Sequence, residues 1–153
     1  MSLNAKIAEE MKTAMKSGQK LRLETLRTLR AALTEKEIER RGAGTPMTPA
    51  DETGVMTSAA KRRRESIELF AKGGRTDLVA QEEAELLIIQ EFLPKQMSAE
   101  EVEALVRATA AAVGATGAAD FGKVMPAVMK EAKGKADGKL VQETVKRVLG
   151  VQG

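Results

Sequence analysis

The residues that come nearest to a ligand-binding pattern lie in the segment KGKADGKLV, residues 133–141. Lysine and glycine in a short loop before a helix can cradle a phosphate, because backbone amides and ammonium groups both attract anions. A nucleotide-type phosphate loop also needs a preceding strand and a Gly-Lys-Ser/Thr ending, and both are missing here. Gly134 is suited to end one helix in the left-handed conformation, and Asp137, before Gly138, to cap the next. We therefore interpret the segment as a turn between two helices.

A turn does not explain the lysines around it. We predict that five of them crowd the same end of the helix pair: Lys123, Lys130, Lys133, Lys135 and Lys139. With three Phe and no Trp or Tyr, the chain has little with which to stack on bases, so any nucleic-acid contact must be electrostatic and shape-based.

The residue types that are absent exclude several kinds of chemistry. The chain has no His and no Cys, which excludes Ser-His-Asp and Cys-His nucleophiles, thiolate or imidazole zinc sites and disulfides. We expect no catalytic residue, no metal site and no cofactor. Carboxylate pairs such as Glu82 with Glu83 have helix-surface spacing, and we expect them to face water. No apolar run is long enough for a membrane span and no signal peptide is recognisable, so we expect no membrane association and a cytoplasmic location.

Charge is unevenly distributed along the chain. Ten basic and six acidic side chains give residues 1–41 a net charge of +4, and seven basic and three acidic give residues 122–153 the same value. Since the whole chain carries +3, the middle segment carries −5. The basic run KRRR, residues 61–64, is interpreted as a solvated helix face.

Apolar residues recur with the spacing of helices, and no useful stretch alternates as a strand does. The predicted fold is therefore all-α, with about four helices in an amino-terminal domain, residues 1–94, and a three-helix tail domain, residues 95–153. The run LLII, residues 86–89, should lie in the central core. The methionines at helical spacing should fill the core as well: Met11, Met15, Met125 and Met129.

Three segments, in this order, resemble the GatB/YqeY family: MKTAMKSGQKLRLETLRTLRAAL, GGRTDLVAQEEAELLIIQEFLPKQMSAEEVEALV and FGKVMPAVMKEAKGKADGKLVQETVKRVL. The resemblance implies an all-helical protein whose three-helix tail is shared with the B subunit of the glutamine-dependent aminoacyl-tRNA amidotransferase. In that enzyme the tail helps to hold tRNA, while a much larger module does the chemistry. The family is also associated with carbon–nitrogen ligase activity that uses glutamine as the amido-nitrogen donor.

Three functions follow as hypotheses. The first is a tRNA-binding or tRNA-metabolism accessory protein, in which the five lysines contact phosphates and the partners are tRNA and aminoacyl-tRNA or translation-related proteins. The second is a helical protein–protein interaction module whose partner binds the acidic middle segment or the first helices. The third is an enzyme; we expect the chain to be non-catalytic on its own, because 153 residues leave no room for an ATP-binding and transamidation module.

Overall fold

The computed structural model describes residues 2–151, and within that range it consists of helices and connections, without a strand. The chain divides into two compact units, Met1–Leu93 and Pro94–Gly153. The predicted all-α class, with four helices followed by three, is confirmed.

The first unit is built from two helical hairpins. Its helices are α1 (Leu3–Lys16), α2 (Lys20–Gly42), α3 (Pro49–Lys72) and α4 (Thr76–Gln90). Helix α1 packs on α2, α3 packs on α4, and α2 also contacts both α3 and α4. The core consists mainly of long aliphatic side chains: Ile7, Ala14, Leu26, Leu29, Leu33, Met56, Ala60 and Ile89.

Local capping fixes where α3 begins. Thr48 Oγ1 accepts a hydrogen bond from Asp51 N at 3.1 Å, and Asp51 Oδ2 accepts one from Thr48 N at 2.9 Å. Pro49 occupies the first turn, where a missing amide hydrogen has no consequence. The Arg40 guanidinium, followed by the Thr48 backbone amide, holds the pKa of the Asp51 carboxyl well below its ordinary range. The carboxylate that caps α3 therefore also ties α3 to the end of α2.

The tail unit is a bundle of three helices, α5 (Ala99–Ala112), α6 (Phe121–Ala132) and α7 (Gly138–Leu149), with a short 3₁₀ turn at Ala118–Asp120 before α6. Each of the three helices packs on the other two. Among the described residues of the tail, the buried apolar side chains are valines and alanines: Val102, Val106, Ala110, Val124, Val128, Ala132, Ala136, Val141 and Val145.

Several large apolar side chains face outward, and two of them, Met15 and Leu87, were assigned to the interior by the sequence pattern. Met15 and Ile38 are each 60% exposed, and Leu87, within the LLII run, is 67% exposed. At 100° per residue, Ile38 is about 140° away from Leu33, and Leu87 is about 160° away from the buried Ile89. A helix with four consecutive apolar residues must place at least one of them on its outer face.

Two charged residues that were expected to face water are largely buried between α3 and α4. Arg63 Nε lies 2.9 Å from Glu85 Oε2 and 3.5 Å from Glu82 Oε2, and the three side chains are 14–18% exposed. Burial, followed by the charge of Glu85, raises the pKa of the Glu82 carboxyl, and Arg63 offsets part of this. The solvated interpretation was therefore wrong for Arg63 and Glu82, although Glu83 is exposed as expected.

Candidate nucleic-acid interface

The loop between α6 and α7, residues 133–137, begins with a tight reversal at the end of α6. Lys135 N and Ala136 N both donate to Ala132 O, at 2.9 and 3.0 Å. Gly134 has a φ of 78°, a left-handed value that glycine adopts without steric cost. Asp137 is the N-cap of α7, and its Oδ1 accepts from Lys139 N at 3.4 Å, while Gly138 is the first residue of that helix.

Side chains in this loop alternate between the interior and the surface. Ala132, Gly134 and Ala136 are buried, whereas Lys133 and Lys135 are exposed. The small residues bring the backbone close to the bundle, and the two lysines consequently project away from it.

The loop is held in place by the segment that precedes α5. The side-chain amide of Gln96 donates to Gly134 O at 2.9 Å and to Pro94 O at 2.7 Å, and Met97 N donates to Lys135 O at 2.7 Å. The carbonyl groups of Gly134 and Lys135 are thus fixed by residues 38 positions earlier in the chain. Sequence reasoning did not find Gln96, because this contact leaves no local signal in the sequence.

The five lysines predicted as nucleic-acid contacts are all exposed, but the structure does not bring all of them together. Lys130, Lys133, Lys135 and Lys139 lie on or next to the loop, at the end of α6 and the start of α7. Lys123 lies in the first turn of α6, about 10 Å from Lys130 along the helix axis. The expectation that all five crowd one end of the helix pair was wrong for Lys123.

Lys123 lies instead near the carboxylate of Asp120. Hydrogen bonds from the backbone amides of Thr116 and Gly117 lower the pKa of the Asp120 carboxyl, and the charge of Lys123 contributes to the same shift. This lysine therefore belongs to the start of α6 rather than to the loop.

Helix dipoles act differently on the lysines next to the loop. Lys130 lies in the last turn of α6 and Lys133 is its C-cap, so both are favoured by the negative end of that helix. Lys139 lies in the first turn of α7, where the helix dipole disfavours a cation. Local helix stability therefore explains the positive charges of Lys130 and Lys133. It does not explain the positive charge of Lys139.

A shallow cavity of about 350 Å³ beside the loop has walls of mixed charge. Lys95 and Lys135 line it together with Glu101 and Glu131. Glu101 accepts from Ser98 N at 3.1 Å in the capping box of α5, and this hydrogen bond lowers the pKa of its carboxyl. The surface around the loop is therefore only moderately positive, and a polyanion bound there would be sensitive to salt.

Within residues 2–151, no cluster of three or more acidic side chains is arranged to hold a metal ion. No helix in the same range is both long and apolar enough to cross a membrane.

The fold and the loop define a class of all-helical proteins in which a four-helix unit is followed by a three-helix tail. The family model for YqeY-like proteins matches residues 4–149, and the chain belongs to that family. The family assignment made from the three sequence segments is confirmed.

Three curated relatives come from fungi. An uncharacterized protein of Schizosaccharomyces pombe is 32% identical over 97 residues, which are 63% of this chain and 76% of the relative. Proteins named "Altered inheritance of mitochondria protein 41, mitochondrial" are similar too. The one from Eremothecium gossypii is 32% identical, covering 69% of this chain and 57% of its own length. The one from Lachancea thermotolerans is 34% identical, covering 65% and 52%. The chain thus spans little more than half of the length of these two relatives.

Proposed function

We propose that the protein is a non-catalytic tRNA-binding accessory protein whose α6–α7 loop contacts the phosphates of tRNA. One observation carries this proposal. Lys133 and Lys135 project from a loop held by Gln96 and Met97, and neither forms an ion pair with any residue in the described range.

A fixed loop favours binding because less conformational freedom is lost when the anion arrives. The backbone of residues 134 and 135 is already ordered by its hydrogen bonds, so the lysine side chains alone need to be immobilised. With no internal carboxylate to displace, each ammonium group can replace a condensed counterion on the nucleic acid.

Binding of this kind would not depend on nucleotide sequence. Phe121 is the aromatic residue of the tail, and it is partly buried against the valine–alanine core. The tail therefore presents no aromatic platform on which a base could stack. Lysine contacts phosphate as a point charge, so different tRNAs should bind with similar affinity.

The proposal assigns no reaction step to any residue. Glu101, Glu103 and Asp120 of the tail are all engaged in hydrogen bonds or ion pairs that lower their carboxyl pKa values. Carboxyl groups with lowered pKa values are poorly suited to general acid or base catalysis near neutral pH. A cytoplasmic site of action stays a prediction from the sequence.

The test compares two triple variants with equal changes in charge. Lys130, Lys133 and Lys135 are changed together to Ala, and the control changes Lys16, Lys20 and Lys72, three exposed lysines of the first unit. Binding of labelled unfractionated tRNA is measured by fluorescence anisotropy between about 50 and about 200 mM salt. The loop variant should bind more weakly and flatten the log–log salt slope by about 2 to 3. The control should retain the slope of the parent.

Two results would contradict the proposal. Absence of tRNA binding by the parent at about 50 mM salt would exclude the function itself, since electrostatic binding is strongest there. Equal weakening by both variants would show that binding is spread over the whole surface. The first result would favour the alternative, a helical protein–protein interaction module, and the second would remove the loop as the binding site.

A further inference from the structure

A shallow groove of about 600 Å³ lies on the first unit, along α2 where it faces α1. Its walls include apolar groups from Met11, Ala31 and Ile38, and Ile38 is 60% exposed. Helix α2 has 23 residues and α1 has 14, so the far end of α2 extends beyond its hairpin partner. The unequal helix lengths leave this part of α2 open on one side.

Two arginines in the groove differ from most others in the same unit. Arg27 and Arg30 line the groove, are exposed, and form no ion pair with another described residue. Five other arginines of the unit do lie against carboxylates: Arg22, Arg40, Arg41, Arg63 and Arg75. Since they are three residues apart on one helix, Arg27 and Arg30 present two positive charges on one face beside an apolar surface, and with Glu35 the groove lining keeps a net charge of +1.

The outer face of α4 has the opposite character. Leu87 is 67% exposed, and Glu83, one turn before it, is exposed and unpaired within residues 2–151. The other carboxylates on or next to α4 already have arginine partners: Asp77, Glu82, Glu85 and Glu91. Glu83 and Leu87 thus form a small acidic and apolar face that the unit itself does not use.

We propose that this groove receives the α4 face of a second copy of the chain. Glu83 and Leu87 are four residues apart, as are Arg27 and Ala31, so both pairs span about 6 Å along their helices. In this arrangement the Glu83 carboxylate meets Arg27 and Arg30 while Leu87 covers Ala31. Every copy carries both surfaces, and a pair related by a two-fold axis therefore makes the contact twice.

The contact involves one leucine and a few exposed charges on each side, so the dimer is weak and depends on salt. The test follows self-association of the full chain by sedimentation velocity from about 10 µM to about 1 mM, where contacts of this size are measurable. The parent should dimerise as its concentration rises at low salt and should dissociate at high salt.

Two leucines give a matched pair of variants. Leu87→Ser should raise the dissociation constant at least about tenfold, the equivalent of about 1.4 kcal/mol. Leu69→Ser should leave it unchanged, because Leu69 is 68% exposed on α3 and lies outside the proposed face.

Charge reversal tests the pairing itself. Arg27→Glu with Arg30→Glu should abolish the dimer, as should Glu83→Arg alone, while circular dichroism confirms that each variant is folded. All three changes in one chain should restore the dimer, because attraction returns with the signs exchanged. A parent that stays monomeric over the whole range, equal effects of the two leucine variants, or failure of the combined variant to dimerise would each overturn the proposal.

Discussion

The two units of this protein hold their helices together with different side chains. The first unit buries leucine, isoleucine and methionine, whereas the tail unit buries valine and alanine. Small side chains let helix backbones approach closely and leave few alternative rotamers, while long aliphatic ones fill wider spaces between helices. The difference teaches that the smaller unit depends on close fit and the larger one on the amount of apolar surface buried.

The two units also differ in how far apart in the chain the partners of their ion pairs lie. In the first unit, Arg22 joins Glu10 on α1 to Glu91, just after α4, at distances of 2.7–3.0 Å. Hydrogen bonding to Arg22 lowers the pKa of the Glu91 carboxyl. In the tail, Arg147 reaches Glu103 across α5 and α7, and the remaining acidic contacts are mostly local caps such as Glu101. The first unit therefore places more of its charge contacts between distant parts of the chain.

Removing a large side chain from the first core should have the largest effect. Leu29 is 1% exposed, and Leu29→Ala should lower the free energy of unfolding by about 2–5 kcal/mol, through lost burial and the cavity left behind. Urea unfolding followed by circular dichroism measures this. Val106→Ala in the tail removes one carbon fewer and should lower stability less.

Leu69→Ala is the control, since its exposed side chain should contribute within about 0.5 kcal/mol. If Val106→Ala proves as harmful as Leu29→Ala, the contrast between a bulky and a closely fitted core does not hold.

A larger side chain in the tail core should show how strongly the stability of the tail depends on close packing. Ala132 is fully buried in the valine–alanine core, and Ala132→Leu should destabilise the tail by about 1–3 kcal/mol, because the extra carbons force neighbouring side chains to move. Ala111→Leu on the exposed side of α5 is the matched control and should be close to neutral. Hydrogen exchange should report the loss within residues 94–151. Unchanged protection there would mean that the tail core is loosely packed.

The smallest expected effect is at the buried charge cluster of the first unit. Because the pKa of Glu82 is raised, its ionised form is disfavoured by folding, and the penalty disappears as pH falls through the raised pKa. Glu82→Gln removes the charge, so we expect it to stabilise the protein slightly near neutral pH and to lose that advantage at about pH 4. Urea unfolding at both pH values measures the difference, with exposed Glu65→Gln as the control. A less stable variant near neutral pH would show that attraction to Arg63 prevails.

Local signals make some parts of the fold predictable from the sequence. The starts of α3 and α5 follow from Thr48 before Pro49 and from Ser98 with Glu101, since capping involves residues three positions apart. The outward position of Leu87 also follows from helical phase, but only once the direction of the core is known.

Contacts between distant segments explain what could not be predicted. Neither the burial of Glu82 against Arg63 nor the hold of Gln96 on Gly134 has a signature within a few residues. The separation of Lys123 from the loop, by contrast, follows from its place seven residues before Lys130 on the same helix.

The Arg22 contacts have a consequence for the time course of synthesis. Arg22 and Glu10 leave the ribosome together on the first hairpin, whereas Glu91 follows Arg22 by 69 residues. The guanidinium group must therefore remain partly hydrated until α4 has emerged. Because domains generally fold as units, amino-terminal first, the closing of Arg22 on Glu91 marks the completion of the first unit while the tail is still being made.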